Sequence, residues 1–181
     1  MTEKMRHQII LAGFGGQGIM LMGTILATAA MHRGHNVTWI PSYGAEQRGG
    51  TANSTVVITD GEIASPIVDH PGCLAALNQP SLDKFESRTI PGGTILVNSS
   101  LVRRPLERRD VEEHRVPASG MAEEIGDVRV ANIVMLGALS SLTGIVDYPA
   151  LEEAIREVTG RHPELLKLNL EALEAGAGIK A

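Results

Sequence analysis

Two glycine-rich segments carry the residue types best suited to binding an anionic ligand. Residues 13–18 read Gly-Phe-Gly-Gly-Gln-Gly, and residues 41–50 read Pro-Ser-Tyr-Gly-Ala-Glu-Gln-Arg-Gly-Gly. Glycine lets the backbone enter positive φ and lets a ligand approach without a Cβ in the way. The free amides at the start of a following helix favour an anion. Arg48 adds a planar guanidinium that suits a phosphate or a carboxylate.

The flanking patterns place both segments at the ends of predicted strands. A short apolar strand, residues 8–12, precedes the first segment, and apolar residues recur at helical spacing from Ile19 to Ala29 after it. A second strand at residues 36–40 precedes the second segment. Open α/β folds bind ligands at the carboxyl ends of their strands. We therefore expect the two glycine loops to meet at one edge of a parallel sheet.

The remaining elements continue an alternation of strands and helices. Residues 52–59 are rich in β-branched types and end in Asp60-Gly61, which predicts a hairpin with residues 62–67. Further strands are predicted at 74–77, 94–98 and 113–116. A helix is predicted to start within residues 78–81 and to lead to Phe85, and further helices are predicted at 119–125 (capped by Ser119), 131–142, 149–158 and 163–175. The chain is thus predicted to be a single α/β domain over residues 1–181. We expect three layers, with a Rossmann-like start, a β-hairpin insertion and a mostly parallel sheet flanked by helices.

Composition limits the kinds of core, binding partner and cellular compartment to consider. Of the 181 residues, 43% are hydrophobic and only 3% aromatic, so the core must be built from aliphatic side chains. A net charge of −5 gives no general attraction to nucleic acid or to a membrane surface. The single Cys73 excludes an internal disulfide and is predicted to be a small buried hydrophobe. No apolar stretch reaches the roughly 20 residues that span a bilayer, and we expect a cytoplasmic protein.

A dinucleotide-binding unit is the first alternative for a strand, glycine loop and helix. Such a unit requires Asp or Glu at the end of the second strand to hold the ribose hydroxyls. That place holds Ile40, Pro41 and Ser42, and the next acid is Glu46. The P-loop pattern fails as well, because no Gly-Lys-Ser or Gly-Lys-Thr follows the glycines. A free-standing nucleotide- or dinucleotide-binding module stays open as the alternative function.

Three separated motifs identify a family resemblance. Residues 13–19, residues 42–50 and residues 131–137, the last reading Ala-Asn-Ile-Val-Met-Leu-Gly, resemble the gamma subunit of 2-oxoacid:ferredoxin oxidoreductases. The resemblance runs over nearly the whole chain, including Asn169 and Ala172 in the final helix. It implies the gamma-domain fold and a complex that oxidatively decarboxylates a 2-oxoacid to an acyl-CoA and reduces ferredoxin. The motif details look closer to branched-chain 2-oxoacid or 2-oxoglutarate enzymes than to pyruvate enzymes.

The resemblance also indicates what this chain leaves to partners. Thiamine diphosphate is held in such enzymes by a metal-binding Gly-Asp-Gly segment, whereas Asp60-Gly61 lacks that context and reads as a turn. One cysteine cannot hold an iron-sulfur cluster. We therefore expect no catalytic residue and no metal site here, and an isolated chain that is inactive and self-associates through exposed apolar area. Thiamine diphosphate, Mg and iron-sulfur clusters would reside on alpha, beta and possibly delta subunits, which pass electrons to ferredoxin.

The resemblance suggests that this chain covers the approach to the active site and helps receive coenzyme A. Backbone amides of the first loop would meet a phosphate or a partner's carboxylate, and side chains of the second loop would line the channel. The predicted binding residues are Gly13, Gly15, Gly16, Gln17, Gly18, Ser42, Tyr43, Gln47, Arg48 and Asn132.

Two structural alternatives stay open for these residues. In the second loop, Glu46 and Arg48 pair with each other, and Gly49 and Gly50 only permit a tight subunit contact. For Asn132, an ordinary first-turn hydrogen bond competes with a role in the loop cluster.

Overall fold

A single mixed sheet organises the part of the chain that the computed structural model describes, residues 5–44, 50–160 and 163–180. Its strands are β1 (Arg6–Phe14), β2 (Asn36–Tyr43), β3 (Thr51–Thr59), β4 (Cys73–Ala76), β5 (Thr94–Asn98) and β6 (Glu112–Val116). The helices are α1 (Ile19–His32), α2 (Gln79–Phe85), α3 (Ala118–Ile125), α4 (Ala131–Thr143), α5 (Tyr148–Thr159) and α6 (Pro163–Ala177). Short 3₁₀ turns span Glu86–Arg88 and Val128–Val130.

The strand order is β2-β3-β1-β4-β5-β6. Strands β1, β4, β5 and β6 pair in parallel, whereas β3 lies between β1 and β2 and is antiparallel to both. All strands but β3 consequently run in the same direction. The α/β class is confirmed, but β1 and β2 are not neighbours. Their carboxyl ends still reach the same edge of the sheet, which brings the two glycine loops to that edge.

The predicted hairpin after Asp60-Gly61 is wrong. Residues 61–68 form no strand, and the segment contains Pro66. Strand β3 already pairs with β1 along one side and with β2 along the other, so it has no free edge for residues 62–67. The hairpin in this fold is instead the antiparallel pair of β2 and β3. The side chain of Asp60 contacts His35, which lies between α1 and β2; Oδ1 of Asp60 is 2.8 Å from Nδ1 of His35.

Three other boundaries also differ from the sequence prediction. β1 continues through Gly13 and Phe14, and β2 continues through Ser42 and Tyr43, because both strands keep pairing with β3 to its first residues. The first residues of each glycine-rich segment thus belong to a strand and not to a loop. Ser119 does not cap α3: this helix begins at Ala118.

The two faces of the sheet are covered differently. On one face, here called the helix face, Ile9 and Leu11 pack in the larger core with residues of α1, α3, α4, α5 and α6. On the opposite face, here called the loop face, Ile10 and Ala12 pack against α2 and the irregular segments around Val68 and Val102. The site edge is therefore supported mainly by helices from one side.

Close contact between α4 and α6 fixes the outer helix layer. A Cβ at Gly137 of α4 would meet the carbonyl oxygen of Leu173, and a Cβ at Gly176 of α6 would meet that of Val134. Glycine at these two positions lets the helix backbones touch. The contact holds the start of α4 in place beneath the glycine loop.

Asp147 ties the start of α5 to the end of α1. Its Oδ1 accepts a hydrogen bond from the amide of Ala150 at 2.9 Å, which caps α5. The guanidinium of Arg33 binds both carboxylate oxygens, with Nε 2.9 Å from Oδ2 and Nη2 2.8 Å from Oδ1. The hydrogen bond from Arg33 lowers the pKa of Asp147.

We expect Asp147→Ala to reduce the free energy of unfolding by about 1 kcal/mol through loss of the helix cap. Asp147→Asn keeps the cap and serves as the matched control for the ion pair. Because the folded pKa is depressed, the carboxylate stabilises the fold above its unfolded pKa and loses this effect as the pH falls through the folded value. Urea unfolding at pH 7 and pH 3 should therefore show that the free energy of unfolding falls less at pH 3 in both variants than in the wild type. If the free energy of unfolding falls as much in the variants as in the wild type, Asp147 does not stabilise the fold as a paired carboxylate.

Candidate functional site

The glycine turn after β1 has the backbone conformation that the sequence predicts. Gly16 and Gly18 have φ values of 102° and 71°, and the amide of Gln17 donates to the carbonyl of Phe14 at 3.1 Å. Glycine is needed at position 18 for two reasons: its φ is positive, and a Cβ there would collide with the side-chain amide of Asn132. A larger residue at this position would disturb both the turn and the helix that packs on it.

Among the described residues, no side chain caps the start of α1. Gly18 is the N-cap residue and provides no side-chain cap, and the first turn contains no acidic residue. The first amides of a helix have no intrahelical acceptor and carry the positive end of its dipole. The binding of an anion at this helix start stays a prediction.

Gln17 holds the turn together. Its Oε1 accepts hydrogen bonds from the amide of Phe14 at 2.7 Å and from Nδ2 of Asn78 at 2.8 Å. Oδ1 of Asn78 in turn accepts from the amide of Ser81 and caps α2. Gln17 was predicted to bind ligand, but its carboxamide oxygen is occupied within the protein. The role of Asn78 was missed, although the helix start at residues 78–81 was the signal for it.

Asn132 makes both a contact with the glycine turn and a hydrogen bond within the first turn of α4, whereas its role in binding a ligand stays a prediction. It is 2% exposed, and its Nδ2 donates to the carbonyl of Gly18 at 3.1 Å. Its Oδ1 also accepts from the amide of Ile133 at 3.0 Å. The side chain thereby connects the start of α4 to the glycine turn.

The two glycine loops touch each other. The amide of Gly15 donates to the carbonyl of Gly50 at 3.0 Å, which confirms that the loops share one edge. Gln47 and Arg48 lie outside the described residues, as do Glu46 and Gly49. Their contacts with ligand, with each other or with a partner subunit stay predictions.

Ser42 and Tyr43 lie on opposite faces of the sheet. Tyr43 pairs with Ala52, which pairs with Gly13, so the Tyr43 side chain is on the helix face with the glycine turn. Ser42 pairs with Asn53 on the loop face and lines a groove of about 190 Å³ there. The expectation that both residues join one cluster is corrected, because β2 remains a strand through this point and neighbouring side chains alternate.

β2 exposes large apolar side chains. Trp39 and Ile40 are each 37% exposed, Tyr43 is 65% exposed, and Ile67 beside Ile40 is 63% exposed. Trp39 is held in place, since its Nε1 donates to Oγ of Ser54 at 2.6 Å. Exposed apolar area in the single chain was expected for a subunit removed from its partners.

The residues considered for metal or redox chemistry lie elsewhere. Asp60 follows β3 at the edge opposite the glycine turn, because Thr59 pairs with Arg6 at the start of β1. Cys73 is buried as predicted, and burial raises the pKa of its thiol to about 12. Among the described residues, no three His, Cys, Asp or Glu side chains gather into a potential metal site. Within the same residues, every helix is too short or too polar to cross a membrane.

Comparison with known proteins gives matches along almost the whole chain. Residues 8–179 match the family model of pyruvate ferredoxin/flavodoxin oxidoreductase. The ketoisovalerate oxidoreductase subunit VorA of Methanothermobacter thermautotrophicus is 43% identical over 94% of this chain, which spans 35% of VorA. The chain thus covers about a third of that relative's length.

Two solved structures have the same fold. The gamma subunit of a keto/oxoacid ferredoxin oxidoreductase from Geobacter sulfurreducens superposes with a TM-score of 0.80 and 36% identity, over 94% of this chain and 95% of that one. The 2-oxoglutarate:ferredoxin oxidoreductase of Magnetococcus marinus, solved with 2-oxoglutarate, coenzyme A and succinyl-CoA, gives a TM-score of 0.87 and 28% identity over 97% of this chain and 31% of that one. The resemblance inferred from the three motifs is confirmed, and the chain belongs to the pyruvate ferredoxin/flavodoxin oxidoreductase family.

Proposed function

We propose that this chain is the gamma component of a 2-oxoacid:ferredoxin oxidoreductase. The assembled enzyme would convert a 2-oxoacid and coenzyme A into an acyl-CoA and carbon dioxide, and transfer the electrons to ferredoxin. The observation that carries the proposal is the uncapped start of α1 at the glycine turn, in a chain that matches a solved gamma subunit almost end to end. Relatives named for ketoisovalerate and for 2-oxoglutarate support a branched-chain 2-oxoacid or 2-oxoglutarate as substrate.

In this proposal the glycine turn receives a phosphate of coenzyme A. The amides at the start of α1 would donate hydrogen bonds to the phosphate oxygens, and the dipole of the helix would add electrostatic stabilisation. Gln17, Asn78 and Asn132 act through the backbone, since their side chains fix the turn in the conformation that presents these amides. Tyr43 and Gln47 would line the path to the active site.

Thiamine diphosphate, Mg and iron-sulfur clusters are assigned to partner subunits. The acid that could have marked a thiamine site, Asp60, is engaged by His35 at the far edge of the sheet and does not fit that role. The buried, protonated thiol of Cys73 does not fit cluster ligation. The alpha and beta subunits, and possibly a delta subunit, would bring these groups and the contact with ferredoxin, in a cytoplasmic complex.

Substitution of Arg48 tests the coenzyme A role. A charge-assisted hydrogen bond contributes about 1.5–3 kcal/mol, so Arg48→Ala in the assembled enzyme should raise the KM for coenzyme A about tenfold or more. The KM for the 2-oxoacid should stay unchanged. Arg103→Ala removes an exposed arginine in a different part of the chain; it is the matched control and should leave both constants as they are. If Arg48→Ala impairs only the association of the subunits, measured by size-exclusion chromatography, the ligand role is wrong.

A further inference from the structure

The outer edge of β2 has no neighbouring strand among the described residues. β2 is the first strand in the sheet order, and its residues 39–43 are all exposed. At the other edge of the sheet, β6 carries ionisable side chains at residues 112–115, which discourage pairing with a further strand. The eight residues of β2, from Asn36 to Tyr43, contain no charged side chain. The edge of β2 is therefore suited to pairing with another strand, whereas the edge of β6 is protected against it.

The hydrogen bonds between β2 and β3 show which backbone groups point outward. The amide of Gly44, just beyond β2, donates to the carbonyl of Thr51 at 2.8 Å. Because hydrogen-bonded positions alternate in an antiparallel pair, the even-numbered residues of β2 bond to β3 and the odd-numbered residues point away from it. Pro41 has no amide hydrogen and lies in the outward set, as this alternation requires. The outward residues that present both a donor and an acceptor are Val37, Trp39 and Tyr43.

We propose that β2 pairs antiparallel with β2 of a second copy of this chain, around a two-fold axis at Ile40. This register places every outward residue of one strand opposite an outward residue of the other. Trp39 faces Pro41 of the second copy, and Tyr43 faces Val37. On each strand, only the hydrogen bond that Pro41 cannot donate is lost.

The side chains also match across this axis. Trp39 and Tyr43 lie on the helix face, where they meet the apolar side chains of Pro41 and Val37 from the second copy. On the loop face, Ile40, which is 37% exposed in the single chain, meets its own copy. Cross-strand pairs of aromatic, aliphatic and β-branched side chains stabilise a sheet, and no like charges face each other here. The exposed apolar area of β2 is thus covered by the same area of the second copy.

Thr38 supplies an independent reason for this pairing. Its hydroxyl oxygen is buried and has no hydrogen-bond partner among the described residues, which is an unfavourable arrangement. Thr38 and Ser42 lie on the loop face of β2, so the two-fold axis brings Ser42 of the second copy opposite Thr38. A threonine and a serine in facing positions form a recurrent cross-strand hydrogen bond. The second copy therefore offers a partner to this hydroxyl.

The association is measured by sedimentation velocity of the full chain over a range of concentrations. We expect a dimer, and Ile40→Lys should raise its Kd about tenfold or more, because two ammonium groups would face each other across the axis. Ile90→Lys changes a 43% exposed position before β5 and is the matched control, with an unchanged Kd expected. A wild-type chain that stays monomeric would overturn the proposal, as would a dimer that Ile40→Lys does not weaken.

Engineered cysteines test the register. The native Cys73 is buried and does not compete. Ile40→Cys places two thiols in a facing, non-hydrogen-bonded pair with Cα atoms about 4.5 Å apart, so oxidised glutathione should link the two copies. Ser42→Cys is the control, because its two cysteines would lie about 14 Å apart along the strands and should stay unlinked. Equal cross-linking of the two variants would overturn the axis at Ile40.

A mixing experiment separates lost pairing from lost folding. Ile40→Lys and Ile40→Glu chains should each be monomeric and should form a mixed dimer, because opposite charges then face each other. Absence of the mixed dimer from variants with the wild-type circular dichroism spectrum would overturn the proposal.

The inference goes beyond the proposed function, because it concerns the pairing of two copies of this chain and requires no ligand or activity. A different subunit is the competing occupant of the β2 edge. Hydrogen exchange of the β2 amides, in the isolated chain and in the assembled enzyme, distinguishes the two. Outward amides protected only by another subunit would overturn the second copy and leave the gamma assignment intact.

Discussion

Gly176→Ala is expected to lower the free energy of unfolding by about 3 kcal/mol, at the upper end of the usual cost of overpacking. The new methyl group would meet the carbonyl oxygen of Val134, with the Val134 carbonyl carbon at 2.9 Å and the amide nitrogen of Ala138 at 3.0 Å. These are backbone atoms of α4, which cannot rotate away as a side chain would. The two helices must separate, and the shift would reach Asn132 at the start of α4.

Thermal and urea unfolding measure this effect. Gly120→Ala is the matched control, because Gly120 is also helical but its nearest neighbour to an added Cβ is Oγ of Ser100 at 3.7 Å. Alanine there should be neutral or stabilising, since alanine exceeds glycine in helix propensity by about 1 kcal/mol. Equal unfolding midpoints for the two variants would show that α4 and α6 are not in backbone contact.

Gly18→Ala is expected to raise the KM for coenzyme A about tenfold in the assembled enzyme. Alanine in the left-handed conformation costs roughly 1–2 kcal/mol, and its Cβ would displace the amide of Asn132. The turn would relax and the first amides of α1 would lose their alignment toward the phosphate. A loss of about 1.4 kcal/mol in binding corresponds to a factor of ten.

Gly34→Ala separates backbone strain from site damage. Gly34 has a φ of 80°, and no described atom lies within 4 Å of an added Cβ; the residue follows the distant end of α1. Alanine there should cost similar stability and leave the KM for coenzyme A unchanged. An equal change of KM in both variants, measured by initial rates at varied coenzyme A, would mean that global destabilisation explains the effect.

The sequence predicts the local elements of this fold better than their pairing. The helical periodicity from Ile19 and the helix starts at residues 78–81 and near residue 149 depend on signals within a few residues, and the structure has a helix at each place. The position of β3 between β1 and β2 depends on pairing between strands distant in the chain. No local pattern reports that pairing, so Asp60-Gly61 was interpreted as a hairpin turn.

In the candidate site, too, local features could be predicted from the sequence and contacts between distant residues could not. Positive φ at Gly16 and Gly18 could be predicted because glycine spacing reflects a local backbone requirement. The contact of Asn132 with Gly18 joins residues 114 positions apart, and here the family motif supplied the expectation.

Purification of the tagged full chain from its native cells tests the central claim most directly. The retained proteins should be assayed for dye reduction that depends on both a 2-oxoacid and coenzyme A, with several 2-oxoacids compared. The account predicts co-purified subunits that contain thiamine diphosphate and iron-sulfur clusters, and activity highest with a branched-chain 2-oxoacid or 2-oxoglutarate. A chain recovered alone with a bound nucleotide and no such activity would contradict it.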